Sequence, residues 1–134
     1  MPPSNEDLAR RGFAALNSGD FEGLMELVAD DIVAEVPTGF ANASTSRGRD
    51  GFRRMMIEWL DPWSSFRAEP LDYLEPGPDA VVVTVQQRGT GRESGVEVEM
   101  TAAYLIRVRD GLMAGWRLCA DADEALALAS ARWP

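Results

Sequence analysis

The 134-residue chain has no histidine and no lysine, and its single cysteine is Cys119. Each absence removes a class of chemistry. Without histidine there is no His-Asp dyad and no histidine-ligated metal, and without lysine there is no Schiff base. One thiol can form neither an intrachain disulfide nor a structural zinc site. Basic charge is scarce: 13 arginines stand against 22 Asp and Glu, a net charge of −9. Nucleic acids and anionic membranes both call for a basic surface, so neither is expected as a partner. No apolar run is long enough to span a bilayer. The start, Met-Pro-Pro-Ser-Asn-Glu-Asp, lacks the basic and apolar regions of a signal peptide. A cytoplasmic location is the default expectation, and arginine and alanine in place of lysine suggest a GC-rich bacterial genome. Any acid–base work must fall to carboxylates, Tyr, Cys119 or water. No metal or other cofactor is expected.

What is present is enough for a core. The hydrophobic fraction is 46%, ordinary for a globular protein, and the length suits one domain over residues 1–134. The most informative stretch runs from Val96 to Asp121. Two alternating runs flank Asp110-Gly111, a strong two-residue hairpin signal. A regular hairpin opposes Arg109 to Leu112, Val108 to Met113, Tyr104 to Arg117, Ala102 to Cys119 and Met100 to Asp121. One face then carries Val96, Val98, Met100, Ala102, Tyr104, Ile106 and Val108, with Met113, Gly115, Arg117, Cys119 and Asp121 across from them. An apolar face that turns polar at one end is the shape of a lined pocket. The other face pairs Leu105 with Trp116 and Ala103 with Leu118, an apolar patch that predicts a homodimer through the sheet.

Ser4-Asn5-Glu6-Asp7 resembles a capping box, followed by a helical stripe of Leu8, Ala9, Gly12, Phe13 and Leu16. Asn17-Ser18-Gly19 stops that helix. Asp20 can cap a second one, with Phe21, Leu24, Leu27 and Val28 inward. Ile32 to Val36 reads as a short strand and Thr38 to Arg47 as a loop. A third helix starts near Arg49, carries Phe52, Met55, Met56, Trp59 and Leu60, and ends at Pro62. Strands follow over Phe66 to Leu74 and Ala80 to Arg88, and Gly89 to Gly95 leads into the hairpin. A short terminal helix follows Asp121. The order α-α-β-α-β-β-β-β-α predicts an α+β fold, with three N-terminal helices on one face of a curved antiparallel sheet and an open end where a pocket would sit.

The segments Ala14-Ala15-Leu16-Asn17-Ser18-Gly19-Asp20, Ala29-Asp30-Asp31, Pro37 and Gly48-Arg49 form an ordered set with Asp110-Gly111, Arg117 and Asp121-x-x-Glu124-Ala125-Leu126. Together they resemble the NTF2-like, SnoaL-like superfamily over nearly the whole chain. The resemblance implies an α+β cone with a pocket between sheet and helices, and many members are dimers. It leaves function open, since the superfamily includes isomerases, polyketide cyclases, epoxide hydrolases, dehydratases and non-catalytic binding modules. The tyrosine, base and acid positions of the ketosteroid isomerases fall on Gly12, Val36 and Tyr104, so the tyrosine and the base are missing. The epoxide-hydrolase-like arrangement needs an arginine and two aspartates, and only Arg117 with Asp121 is visible. The polyketide-cyclase-like members place an aspartate base near the end of the last strand, where Asp121 stands.

The candidate site residues each have two readings. Asp121 is a base raised in pKa by an apolar wall, or the N-cap of the last helix. Arg117 stabilises an oxyanion, or forms an internal ion pair with Glu35 or Asp121. Tyr104 donates to a carbonyl, or is structural. Trp59, Trp63, Met55, Met56 and Met100 form a ligand wall, or are plain core. Gln87 points inward, or ends a strand in solvent. Phe40 is a lid residue or a plug, and Cys119 lines the pocket or is a small buried hydrophobe. The expected function is binding of a small apolar or aromatic metabolite, either with cyclase- or isomerase-type chemistry from Asp121, Arg117 and Tyr104 on a carbonyl compound, or without catalysis as a ligand-binding or protein-interaction module.

Overall fold

A computed structural model describes residues 4–40 and 43–134. Helix α1, Asn5–Ser18, opens on a reciprocal capping box: the Asp7 N–H donates to Ser4 Oγ at 3.1 Å, and the Ser4 N–H donates to the Asp7 carboxylate. Its buried stripe is Leu8, Ala9, Gly12, Phe13 and Leu16, the set that the helical spacing predicts. Gly19 ends it at φ 73°, a left-handed position that costs glycine little. Asp20 caps α2, Phe21–Met25, which buries Leu24.

Strand β1 spans Val28–Val36 and β2 spans Ser44–Arg47, antiparallel to it. The expected Thr38–Arg47 loop is therefore partly strand. Ser-Thr-Ser-Arg has no apolar alternation to signal β2; it is a largely exposed edge held by main-chain pairing with β1. Ala41 and Asn42 of that loop lie outside the described residues. Helix α3, Gly48–Leu60, buries Phe52, Met55 and Met56. Three long strands follow: β3, Trp63–Gly77; β4, Ala80–Gly91; β5, Glu97–Arg109. β6, Leu112–Cys119, and α4, Ala122–Ser130, complete the chain. The sheet order is β2-β1-β6-β5-β4-β3, with every pairing antiparallel except β1 with β6. The fold is α+β, with helices α1–α3 on one face of the sheet. No helix among the described residues is long and apolar enough to cross a membrane.

The central hairpin departs from the regular register, and the departure decides which side chains face the core. Asp110 and Gly111 take φ 54° and 75°, the tight turn their residue types favour. Arg109 pairs with Leu112 and Val108 with Met113 as expected, but Arg107 then pairs with Gly115. Ala114 is an extra residue, a β-bulge, and every pair beyond it is displaced by one. Tyr104 therefore opposes Leu118, Ile106 opposes Trp116, and Leu105 opposes Arg117. A one-residue slip sends each later side chain of β6 to the other face. Trp116 and Leu118 turn inward, and Arg117 and Cys119 turn outward. The reward is apolar burial: Met113, Trp116 and Leu118 all join one core with Phe13, Phe52 and Tyr104. The Trp116 ring lies 4.9 Å from that of Tyr104, 5.6 Å from Phe13 and 5.7 Å from Phe52. These rings fill the body of the cone.

On the opposite face α4 covers Ala80, Val82, Ala103, Leu105 and Cys119 through Ala125. Arg107 clamps the end of this cover, its guanidinium donating to the main-chain oxygen of Ala129 in the last turn of α4 and to that of Trp133 beyond it. The proposed dimer patch is accordingly not a surface. Leu105, Trp116 and Leu118 are 0%, 2% and 0% exposed within one chain. Leu105 lies under α4, and the other two are in the cone.

Candidate functional site

The bulge disperses the three residues expected to act together. Arg117 lies on the outer face, where it pairs with Glu35 and stands over the Trp133 ring at 5.7 Å. That is the ion-pair reading, with Glu35 rather than Asp121. Its Nε is enclosed and has no partner among the described residues. Asp121 is exposed and caps α4, accepting from the Glu124 N–H at 2.9 Å. The Glu124 carboxylate in turn accepts from the Ala120 N–H at 2.7 Å. Asp121 does not face Met100, because β6 ends at Cys119. Tyr104 points inward and donates its hydroxyl hydrogen to Gln87 Oε1 at 2.5 Å.

Cys119 is not in the cone either; it is buried under α4. Burial pushes its pKa up to about 11, with Glu124 adding to the rise and Arg117 offsetting part of it. The thiol stays protonated near neutrality, so alkylation by iodoacetamide at pH 8 is expected to be negligible in the native chain and fast once it is unfolded. The sign of the linkage follows. The folded pKa lies above the unfolded value of about 8.5–9, so this stabilisation is full below that range and is lost as pH rises toward 11. Fast native labelling at pH 8 would show an open α4 cover.

Part of the expected ligand wall, Trp59, Trp63 and Met100, stands at one end of the cone, while Met55 and Met56 are buried in the core. At that end β1 and β6 stop while β3, β4 and β5 run on. Gln87 pairs with Ala68 and Met100, and Gly89 with Phe66 and Val98. Gln87 and Gly89 therefore continue the inward face of Val83 and Val85. Trp59 at the end of α3 meets Phe66 edge-on at 6.3 Å, and Trp63 meets it at 6.4 Å. Trp63 lies flat on Gly89, where an added Cβ would come within 2.7 Å of the indole. Only glycine permits that approach. Phe40 and Met100 pack partly buried against the core, Met100 opposite Gln87, whereas Met56 is fully in the core.

Two depressions flank the aromatic wall. One of about 650 Å³ is lined by Pro62, Trp63, Arg92, Val96 and Val98 among others. The other, about 200 Å³, lies between Val36, Ser44, Met55, Glu58 and Trp59. Val96 and Val98 are 57% and 47% exposed, apolar side chains left open on the concave side. Arg92 fixes the hairpin tip above them, donating to the carbonyl oxygens of Asp61 at 3.0 Å and Trp63 at 3.1 Å. Phe66 and Arg92 are the parts of this site that sequence reasoning did not single out, whereas Val98 stands on the hairpin face read as lining a pocket. β3 and β4 run beyond the strands read over Phe66 to Leu74 and Ala80 to Arg88, and that extra length carries the mouth. Among the described residues no three carboxylate or thiol groups converge closely enough to hold a metal ion.

The fold and this open end define a cone-shaped α+β protein with an apolar mouth and a body filled by aromatic rings. Residues 9–116 match the SnoaL-like domain, and the chain belongs to that family. No curated protein matches it. Among solved structures, an NTF2-like protein from Burkholderia thailandensis is 23% identical over 98% of this chain and 99% of its own, with a TM-score of 0.79. A candidate polyketide cyclase from Sinorhizobium meliloti is 27% identical over 84% of this chain and 93% of its own, with a TM-score of 0.68. TerC, co-crystallised with polyporic acid, is 19% identical over 85% and 88%, with a TM-score of 0.76. Within this shared frame the positions that resemble the isomerase tyrosine and base carry no polar side chain. Gly12 has no side chain, and a Cβ there would meet Met113 Cε at 3.4 Å. Val36 is buried.

Proposed function

We propose that this chain binds a small, largely apolar or aromatic molecule at the open end of the cone, without acid–base catalysis. The observation that carries the reading is the concave apolar wall of Trp59, Trp63, Phe66 and Met100, continued by the open side chains of Val96 and Val98. A concave apolar surface with few polar groups is the usual form of a small-molecule site, and an exposed apolar patch on a strongly charged chain calls for an occupant. The neighbour TerC was crystallised with a small organic acid, which supports the same use of the frame. The cyclase- or isomerase-type alternative rests on Asp121, and the exposed capping position of that residue weighs against it. The aromatic filling of the cone supports a second reading, a protein-interaction module whose deep pocket is vestigial.

Ligand binding to the native state alone raises its melting temperature. A panel of bicyclic aromatic compounds is expected to include members that do so for the parent chain. Val98→Glu should abolish those shifts while leaving the ligand-free melting temperature unchanged, because Val98 is already half open to solvent. No shift with any compound would favour the interaction module.

A further inference from the structure

We propose that Gln87 selects what the mouth accepts: its amide N–H faces the ligand, so the bound molecule must present a hydrogen-bond acceptor, such as a carbonyl or carboxylate oxygen, and Tyr104 is the positioning residue that holds the amide in this orientation. The inference rests on the mouth reading above and adds the ligand's chemistry to it.

Among the described residues Gln87 is the one buried polar side chain, 4% exposed. It follows three inward valines on β4, Val81, Val83 and Val85, where an apolar residue would continue the wall. A buried amide costs stability unless it is hydrogen-bonded. The bond it makes within the chain is the one from Tyr104. A phenol has a single hydrogen to donate, whereas an amide offers an acceptor at one end and donors at the other. Burial pushes the Tyr104 pKa well above the usual tyrosine value, so the hydroxyl keeps its hydrogen. That hydrogen has Gln87 Oε1 as its acceptor among the described residues.

Turning the amide over would leave the buried hydroxyl hydrogen without an acceptor. An unmade buried hydrogen bond is more costly than the bond itself is favourable. The orientation is therefore fixed from behind. Nε2 has no partner among the described residues, and among them the only fully enclosed side-chain nitrogen or oxygen without a partner is Arg117 Nε. Nε2 is therefore not fully enclosed. By strand register Gln87 stands beside Met100 across one pair and Phe66 along the diagonal of the other, residues of the proposed ligand wall. A fixed donor in an apolar surround rejects a ligand that brings only donors, because two hydrogens then face each other.

Three probes of nearly one shape separate these terms: 1-indanone has an acceptor, indole only a donor, and indane neither. Dissociation constants are measured by calorimetry or ligand-observed NMR. For the parent chain 1-indanone should bind about tenfold tighter than indane, as a modest net hydrogen bond gives, and indole should bind no tighter than indane. Gln87→Met should equalise 1-indanone and indane without weakening indane. Tyr104→Phe should release the amide and bring indole to within about threefold of 1-indanone. Indole binding the parent as tightly as 1-indanone, or three equal constants, would overturn the inference and leave the mouth reading standing. Failure of all three probes at millimolar concentration would overturn both.

Discussion

Replacing Trp116 with alanine is expected to lower the free energy of unfolding by about 3–5 kcal/mol, read by urea denaturation. The indole is 2% exposed and touches the rings of Phe13, Phe52 and Tyr104. Its removal leaves a cavity that the three remaining rings cannot close without leaving their rotamers. Against a typical domain stability of about 5–15 kcal/mol, the loss is a large share. Trp116→Glu adds a buried charge and should not fold. In a regular hairpin Trp116 would instead lie on the outer face, and the same glutamate would dissociate a dimer of folded chains. A loss below about 1 kcal/mol for the alanine variant, as a surface site gives, would place the ring outside and remove the bulge at Ala114.

The second large effect is expected on the outer face. Arg117 and Glu35 form an ion pair whose side chains are 18% and 26% exposed. Such a pair stabilises little in itself, because desolvation offsets its attraction, but removing one partner strands the other. Glu35→Ala should cost about 3 kcal/mol, the low end for a buried pair because water still reaches it. Arg117 would be left with an enclosed Nε that already has no partner among the described residues. Replacing both residues with leucine should return most of the loss, to within about 1 kcal/mol of the parent. A double variant no better than Glu35→Ala would mean that Arg117 holds the fold by its place over Trp133 rather than by its charge.

Much of this architecture is legible in residues. The Ser4 box, the Leu8-to-Leu16 stripe, the Gly19 stop and the Asp110-Gly111 turn are local signals, and each appears where its chemistry puts it. Two features are not local. β2 is held by main-chain pairing to β1, which leaves no mark on a sequence of Ser, Thr, Ser and Arg. The bulge is a tertiary choice, made because one added residue brings Met113, Trp116 and Leu118 to the same side. It did leave a trace. Arg117 sits alone between Trp116 and Leu118, so an inward Arg117 implies two outward apolar groups. Gly115 beside the phase change is the residue type a bulge favours, and a Cβ there would come within 3.1 Å of both Arg107 and Trp133. With the register slipped, Asp121, Arg117 and Cys119 leave the site, while Trp59, Trp63, Met100 and Gln87 remain, because their placement comes from α3, β3, β4 and the start of β5.

The four tryptophans make the placement of the ligand directly measurable. Trp59 and Trp63 stand in the apolar mouth, Trp116 in the filled body of the cone, and Trp133 against the outer face. Their indole N–H signals can be assigned with single Trp→Phe variants and followed by NMR while 1-indanone is added. The expected result is that the Trp59 and Trp63 signals move together with saturation, and those of Trp116 and Trp133 stay in place. Movement of Trp133 or Trp116 with Trp59 and Trp63 unchanged would put the ligand elsewhere and contradict the account.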